Sequence, residues 1–466
     1  MIRRSITWYF FGRVLSMGSR ILLLPVYTRF LDPAELGTAM VVLAVGGVIS
    51  LIVAPGMERV FISWSYRKES QRNGRDSTLF IAHAVMLGAG LLLLWLLGDV
   101  VGQVLLPGIP LWPFYDVILL TIGLVCLGAP IRADWRTNNR GDKVAVLELV
   151  QATISMITIL VALILFRAGP ISLLLGDLVA AFLFAPICIH YIVPRLRYGW
   201  DRVVWKAVAP TLFVGVPFSL ATWGLSSLDR VLLNRFLGPA DVGFYAVGYT
   251  VGAAAIMVII ILNKEWEPLV YRAIAEQPLG TKWLQDLWQR SLLLVVVLSA
   301  TIALFAHEIV YLLLGRHYAA SATVVPVIAV LAMFKAPHMF LHNLSLARGR
   351  MAALTTENVL SLTVFTVSNL ILIPRLGILG AAWAAVAAYA SGTLFMYSRS
   401  WNVYRLNRIM TIWIFVAASV LVISIQMPGT LVALVGGVLM SGFLVREAKQ
   451  YWVFLGSLDQ TVSRDA

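Results

Sequence analysis

Long stretches of this chain carry no charge, and their lengths cluster near one value. Leu36 to Met57, Ser77 to Gly98, Val242 to Asn263 and Leu376 to Ser398 each lack Lys, Arg, Asp and Glu. A helix rises ~1.5 Å per residue, so ~20 residues cross a hydrocarbon core of ~30 Å. Each run predicts one transmembrane helix. A longer run, Ile409 to Val445, is interrupted by Gln426, Met427, Pro428 and Gly429, which predicts two helices joined by a tight turn. Read to its end, the pattern gives about fourteen spans, centred near residues 17, 46, 87, 121, 154, 182, 217, 252, 300, 333, 364, 387, 417 and 437. They are helices because lipid offers no partner to an open backbone group, and the ~10-residue alternation of a membrane barrel does not occur. The expected fold is an all-α polytopic membrane protein.

Composition agrees: 60% of the 466 residues are hydrophobic and 13% charged, with a mean hydropathy of +0.87, against ~25% charged in soluble domains. The net charge of +13 reflects placement. If Arg3 and Arg4 hold the N-terminus in the cytoplasm, most of the 36 basic residues fall in cytoplasmic segments, as the positive-inside rule requires. Both termini are then cytoplasmic. The basic residues are spread over many short segments without a compact patch, so nucleic acid is not an expected partner. Arg3 and Arg4 ahead of Trp8, Tyr9, Phe10 and Phe11 have the charge order of a signal peptide. No small-residue cleavage site precedes the next Arg, so the segment is expected to remain as the first helix. Cys126 and Cys188 both lie within apolar runs, which argues against a disulfide framework or a cysteine metal cluster.

The chain also repeats itself. Arg29, Phe30, Leu31, Asp32, Pro33, Ala34, Glu35, Leu36, Gly37 returns as Arg235, Phe236, Leu237, Gly238, Pro239, Ala240, Asp241, Val242, Gly243. Arg140-Gly141 recurs as Arg348-Gly349, and Arg167, Gly169, Ser172 as Arg375, Gly377, Gly380. Roughly two hundred residues are duplicated, far beyond the period of a solenoid. In a membrane chain such duplication points to a transporter. An even number of spans separates the two copies, so the six-helix halves run parallel around a central cavity. The expected divisions are 1–198 and 199–405 for the halves and 406–466 for two additional helices and a cytoplasmic tail. The repeated segment has a local reading as well: Asp32 as N-cap, Pro33 as first helical residue and Glu35 as third form a capping arrangement that starts a helix.

The stretch from Arg20 through LLLPVYTRFLDPAELGTAMVVL, with its echo SSLDRVLLNRFLGPADVGFYAVGYTVG from Ser226, resembles the first and seventh helix regions of Wzx-type lipid-linked oligosaccharide flippases. These belong to the superfamily that also holds the MATE drug exporters and the lipid II flippases. The resemblance implies a multi-pass protein of the bacterial inner membrane that moves an undecaprenyl-pyrophosphate-linked glycan between leaflets without making or breaking a bond. It implies a cationic cavity, the lipid bilayer as surroundings, and a polysaccharide polymerase and assembly proteins as partners.

Ionisable groups inside the membrane cost at least ~2.5–3.5 kcal/mol each, so each should face the bundle interior and have a purpose. Arg13 and Arg20 share a face of the first span. Lys335, His338 and His342, at i, i+3 and i+7, share a face of the tenth. A pyrophosphate needs charge compensation, which makes these five the substrate-binding candidates. His338 and His342 also have zinc spacing, but no intervening Glu or nearby acidic ligand, so no metal is expected. The acids Asp116, Glu148, Asp177 and Glu357 are candidates for coupling transport to H+ or Na+, with ion pairing as their structural alternative. Glu148 and Glu357 occupy nearly equivalent places in the two repeats. Pro210 and Pro217 should bend or interrupt the seventh span and are hinge candidates. Asp229 and Arg230 are expected to end it. No phosphate-binding Gly loop or nucleophile motif is present, so neither a nucleotide cofactor nor an enzyme is expected. The competing readings are a MATE-like cation-coupled antiporter, which expects an anionic cavity, and a membrane polymerase or glycosyltransferase, which expects a large external loop.

Overall fold

The computed structural model describes residues 22–65, 75–138, 140–275 and 279–399, and every regular element among them is helical. The first expected span, with Arg13 and Arg20, and the last two, near 417 and 437, lie outside the described residues. Two compact units are present, Met1–Gly243 and Phe244–Ala466.

The first unit contains α1 (Leu24–Phe30), α2 (Pro33–Val53), α3 (Met57–Ser65), α4 (Arg75–Leu96), α5 (Gly98–Leu105), α6 (Leu111–Leu127), α7 (Ala129–Thr137), α8 (Gly141–Ile164), α9 (Ile171–Ile192) and α10 (Arg202–Phe236), followed by the start of α11 (Pro239–Gly252). The second holds the rest of α11 with α12 (Ala254–Ala275), α13 (Leu279–Leu304), α14 (Ala306–Leu314), α15 (Val324–Ala347), α16 (Met351–Leu376) and α17 (Ile378–Ser398).

Among the described residues eight helices are long and apolar enough to cross a membrane, and the number rises to ten where each of two bent pairs is one span. These ten coincide with the spans expected near 46, 87, 121, 154, 182, 252, 300, 333, 364 and 387. The bends, 50° at the α11–α12 break and 61° at the α13–α14 break, were not visible in hydropathy. The 35-residue α10 covers the span expected near 217.

In the first unit α8 packs on α9, α9 on α6, α6 on α2 and α2 on α10. Polar groups tie these helices where lipid offers no water. Tyr115 donates to the Leu94 carbonyl at 2.7 Å and the Trp223 indole to the Ala44 carbonyl at 2.9 Å. One end of the unit is an apolar cluster of Phe61 and Trp64 from α3, Phe80 from α4, Ala133 from α7 and Val208 from α10. The short α3 and α7 are thereby seated on the longer helices.

The start of α2 is the expected capping box: Asp32 Oδ1 accepts from the Glu35 amide at 2.8 Å, and Glu35 Oε2 accepts from the Asp32 amide at 3.0 Å. The repeated segment also has a tertiary role. A methyl group at Gly37 would lie 2.7 Å from the Pro239 carbonyl carbon and 2.8 Å from the Gly243 nitrogen. One at Gly243 would lie 2.7 Å from the Pro33 carbonyl carbon. Each glycine thus admits the backbone of the other copy, and only hydrogen fits at either position.

In the second unit α16 and α17 form a hairpin, and α17 also packs along α15. The buried face of α17 is built from Gly380, Ala381, Ala384, Ala385, Ala388 and Gly392, small residues that let helices approach closely where hydrophobic driving force is absent. Gly169 and Gly377, which match in the repeat, have φ of +63° and +61°. The duplication thus preserved a left-handed backbone position that favours glycine.

Candidate functional site

The second unit brings together residues that the sequence placed in two separate lists. Lys335, His338 and His342 stand on one face of α15. His338 Nε2 lies 2.9 Å from Oε1 of Glu357 on α16, a carboxylate with 0% exposure. The Ser361 hydroxyl, one turn along α16, donates to the same oxygen at 2.7 Å. Oε2 of Glu357 is buried and has no hydrogen-bond partner. From α17, Tyr389 presents its ring to both basic groups, with the His338 ring edge-on at 5.4 Å and Lys335 Nζ 4.8 Å from the ring centroid. The His342 ring is 6.3 Å from that of His338.

Backbone geometry leaves room for this arrangement. Any side chain at Gly392 would collide with the Glu357 carboxylate and the Ser361 hydroxyl. Thr393 pins α17 to α15 by donating to the Phe334 carbonyl at 3.0 Å. On the far side of α15, Trp288 of α13 stacks on Phe340 at 4.4 Å, and the Asn343 amide donates to Asn263 of α12 at 2.8 Å. The face bearing the column is therefore held fixed. It gathers one ammonium, two imidazoles and a single acid in the membrane interior, which suits an anion. Ser361 and Tyr389 join the site without having been expected from the sequence. Ser361 lies one turn from Glu357 on the same face, and Tyr389 interrupts an Ala-rich run, so each left a faint signal.

The first unit holds the other candidates in different settings. Arg136 of α7 pairs with Glu58 of α3 and lies 3.6 Å from Glu148 of α8. Glu148 thus stands beside a cation at 25% exposure, while its near-counterpart Glu357 is sealed. Asp177 accepts from the Ser155 hydroxyl at 2.9 Å, and Asp116 is half-buried on α6. Among the described residues no group of His, Cys, Asp and Glu is arranged to hold a metal ion. A surface pair is worth ~0–1 kcal/mol. Arg136→Gln should therefore lower unfolding free energy by no more than ~1 kcal/mol, and a larger loss in a denaturant titration would show a buried role.

Pro210 and Pro217 lie inside α10, which continues through both as one helix. Beside Pro217, the Arg59 guanidinium of α3 contacts the Ser219 hydroxyl and lies 5.7 Å from the Phe218 ring centroid. Asp229 and Arg230 do not end the helix as expected. It runs on to Phe236 and stops before Gly238, at φ +100°, and Arg230 Nη1 folds back on the Ser226 carbonyl at 2.6 Å.

Residues 26–323 match the profile of the polysaccharide biosynthesis protein family, well over half of the sequence. The chain belongs to that family. It is 24% identical over 174 residues to an uncharacterised membrane protein of Haemophilus influenzae, a match covering 35% of this chain and 42% of the relative. Among solved structures, the lipid II flippase MurJ in an inward closed conformation superposes with a TM-score of 0.73 at 11% identity, covering 98% of this chain and 99% of that one. An inward-facing multidrug resistance MATE transporter of the MOP superfamily gives 0.64 at 12% identity, over 88% and 96%. A third, the Vibrio cholerae MATE transporter VcmN, gives 0.54 at 14% identity, over 88% and 97%. Family membership and fold agree with the resemblance drawn from the sequence.

Proposed function

We propose that this protein is a flippase that carries a polyprenyl-pyrophosphate-linked oligosaccharide across the bacterial inner membrane by alternating access, supplying surface polysaccharide assembly. The observation that carries this reading is the column Lys335, His338 and His342 inside a span of a polysaccharide biosynthesis family protein. An anionic head group crossing lipid needs such charge, and Arg13 and Arg20 would extend it. The glycan and its lipid are substrates, a polymerase and assembly proteins are partners in the same process, and no bond is made. The halves are read as 1–198 and 199–405, with 406–466 appended. Pro210 and Pro217 serve as points of flexure in α10, and the coupling ion, H+ or Na+, is sought at Asp116, Asp177, Glu148 and above all Glu357. A MATE-like antiporter of cations would share the fold, but the basic column has the opposite sign. The test is reconstitution into proteoliposomes with lipid-linked oligosaccharide in one leaflet. Appearance of glycan to a membrane-impermeant glycosidase supports the reading, and its absence with folded protein sinks it.

Topology supplies a second check. With both termini cytoplasmic, a cysteine at Gly108 or Gly315 should react with an impermeant maleimide added from outside, whereas one at Gly199 should not. Native Cys126 and Cys188 are buried and contribute little background. The reverse pattern would invert the topology.

A further inference from the structure

Resting on the proposed transport function, we infer that the coupled ion is a proton carried by the Glu357–His338 pair. His338 then belongs to the coupling machinery rather than to the substrate-binding set. A sodium site needs several oxygen lone pairs converging on one point. Glu357 Oε1 instead already faces an imidazole nitrogen at 2.9 Å and a hydroxyl donor at 2.7 Å. On the side of Gly392 even an added methyl group would collide with the same oxygen and with the Ser361 hydroxyl, so a hydrated cation does not fit there. The titratable neighbours are Lys335 and His342 on α15, Tyr389 on α17 and Tyr249 on α11, which lies within electrostatic reach of Lys335. None supplies a second carboxylate, and the ammonium opposes any added metal cation.

A proton has none of these requirements. The 2.9 Å line between Nε2 and Oε1 holds a hydrogen bond in either state of charge. With the pair loaded, the extra proton resides on the carboxyl at Oε2, which has no other partner, while neutral His338 still donates through Nε2–H to Oε1. When the pair is empty, neutral His338 donates through Nε2–H to ionised Glu357, and the geometry survives. No bond other than that to the proton changes.

The test uses the full chain in lipid nanodiscs and needs no substrate. Infrared spectra across a pH series should show a protonated carboxyl band that is absent from Glu357→Gln and has the same midpoint in sodium and choline buffers. His338→Gln should move that midpoint by ~1 pH unit or more, as loss of a directly bonded partner does. If Glu357→Gln fails to fold, Gly392→Ala retains both groups but displaces the carboxylate, and it should move the midpoint too. A midpoint that shifts with sodium, or a band indifferent to Glu357, His338 and Gly392, overturns the inference. In proteoliposomes, glycan movement should respond to an imposed pH gradient in the wild type and lose that response in Glu357→Gln. A pair that titrates as described in a protein that moves no lipid-linked glycan refutes the transport reading and leaves the proton site standing.

Discussion

Leucine at Gly37 or at Gly243 should leave almost no folded protein, and alanine at either should cost ~1–3 kcal/mol, the range for overpacking a tight contact. The reason is reciprocal. At both glycines the nearest neighbours are the backbone atoms of the other copy's opening turn, and backbone cannot move aside as a flexible side chain does. Size-exclusion profiles in detergent would report the leucine variants, and denaturant titration the alanine variants. Capping gives a control of different magnitude: Asp32→Ala removes a helix cap and should lose only ~0.5–2 kcal/mol. Wild-type stability in Gly37→Ala and Gly243→Ala together would mean that the segment matters only as a helix start.

Removing the charge of Lys335 should weaken binding of a pyrophosphate head group by roughly 10- to 100-fold, the equivalent of one charge-assisted hydrogen bond at ~1.5–3 kcal/mol. Arginine at this position should retain much of the affinity, since its fork suits phosphate oxygens. Tyr389→Phe keeps the ring face over which Nζ lies, 4.8 Å from the centroid, and loses only the hydroxyl that bonds Lys335, so it should weaken binding less than Tyr389→Leu, which also removes a cation–π contact of ~0.5–2 kcal/mol. Binding of lipid-linked pyrophosphate to the purified variants by thermal shift separates these cases. Equal affinity in Lys335→Gln and the wild type would remove the column from the substrate path.

The fold was legible wherever a charge-free run was long enough to demand lipid. α2, α4, α9 and α17 follow from hydropathy alone. The short helices α3, α5, α7 and α14 were not, because eight or nine residues are too few for a membrane span and their apolar faces are defined by what they seat against. The 61° break before Ala306 likewise leaves no Pro or Gly as a signal. At the site, the spacing of Lys335, His338 and His342 fixed their common face, since helical period is a local property. Their pairing with Glu357 depends on the register of α15 against α16, and that register is set by Thr393, Gly392 and the Ala face of a third helix. The roles of Gly37 and Gly243 were hidden for the same reason. The atom each must avoid belongs to residues some two hundred positions away.

That reciprocal contact bears on how the protein came about. A surface in which residue i meets residue j while j meets i is the interface of a two-fold homodimer. A half-length chain closes such a point with a second copy of itself, and joining the copies into one chain releases each from serving both places. The chemistry shows the release. Where the second copy carries Lys335, His338 and His342, the first has Leu127, Pro130 and Asp134, and the place matching sealed Glu357 is held by Leu149. The duplicated scaffold has kept its symmetry in glycine and lost it at the positions of Lys335, His338, His342 and Glu357, so the proton pair proposed above belongs to one copy alone.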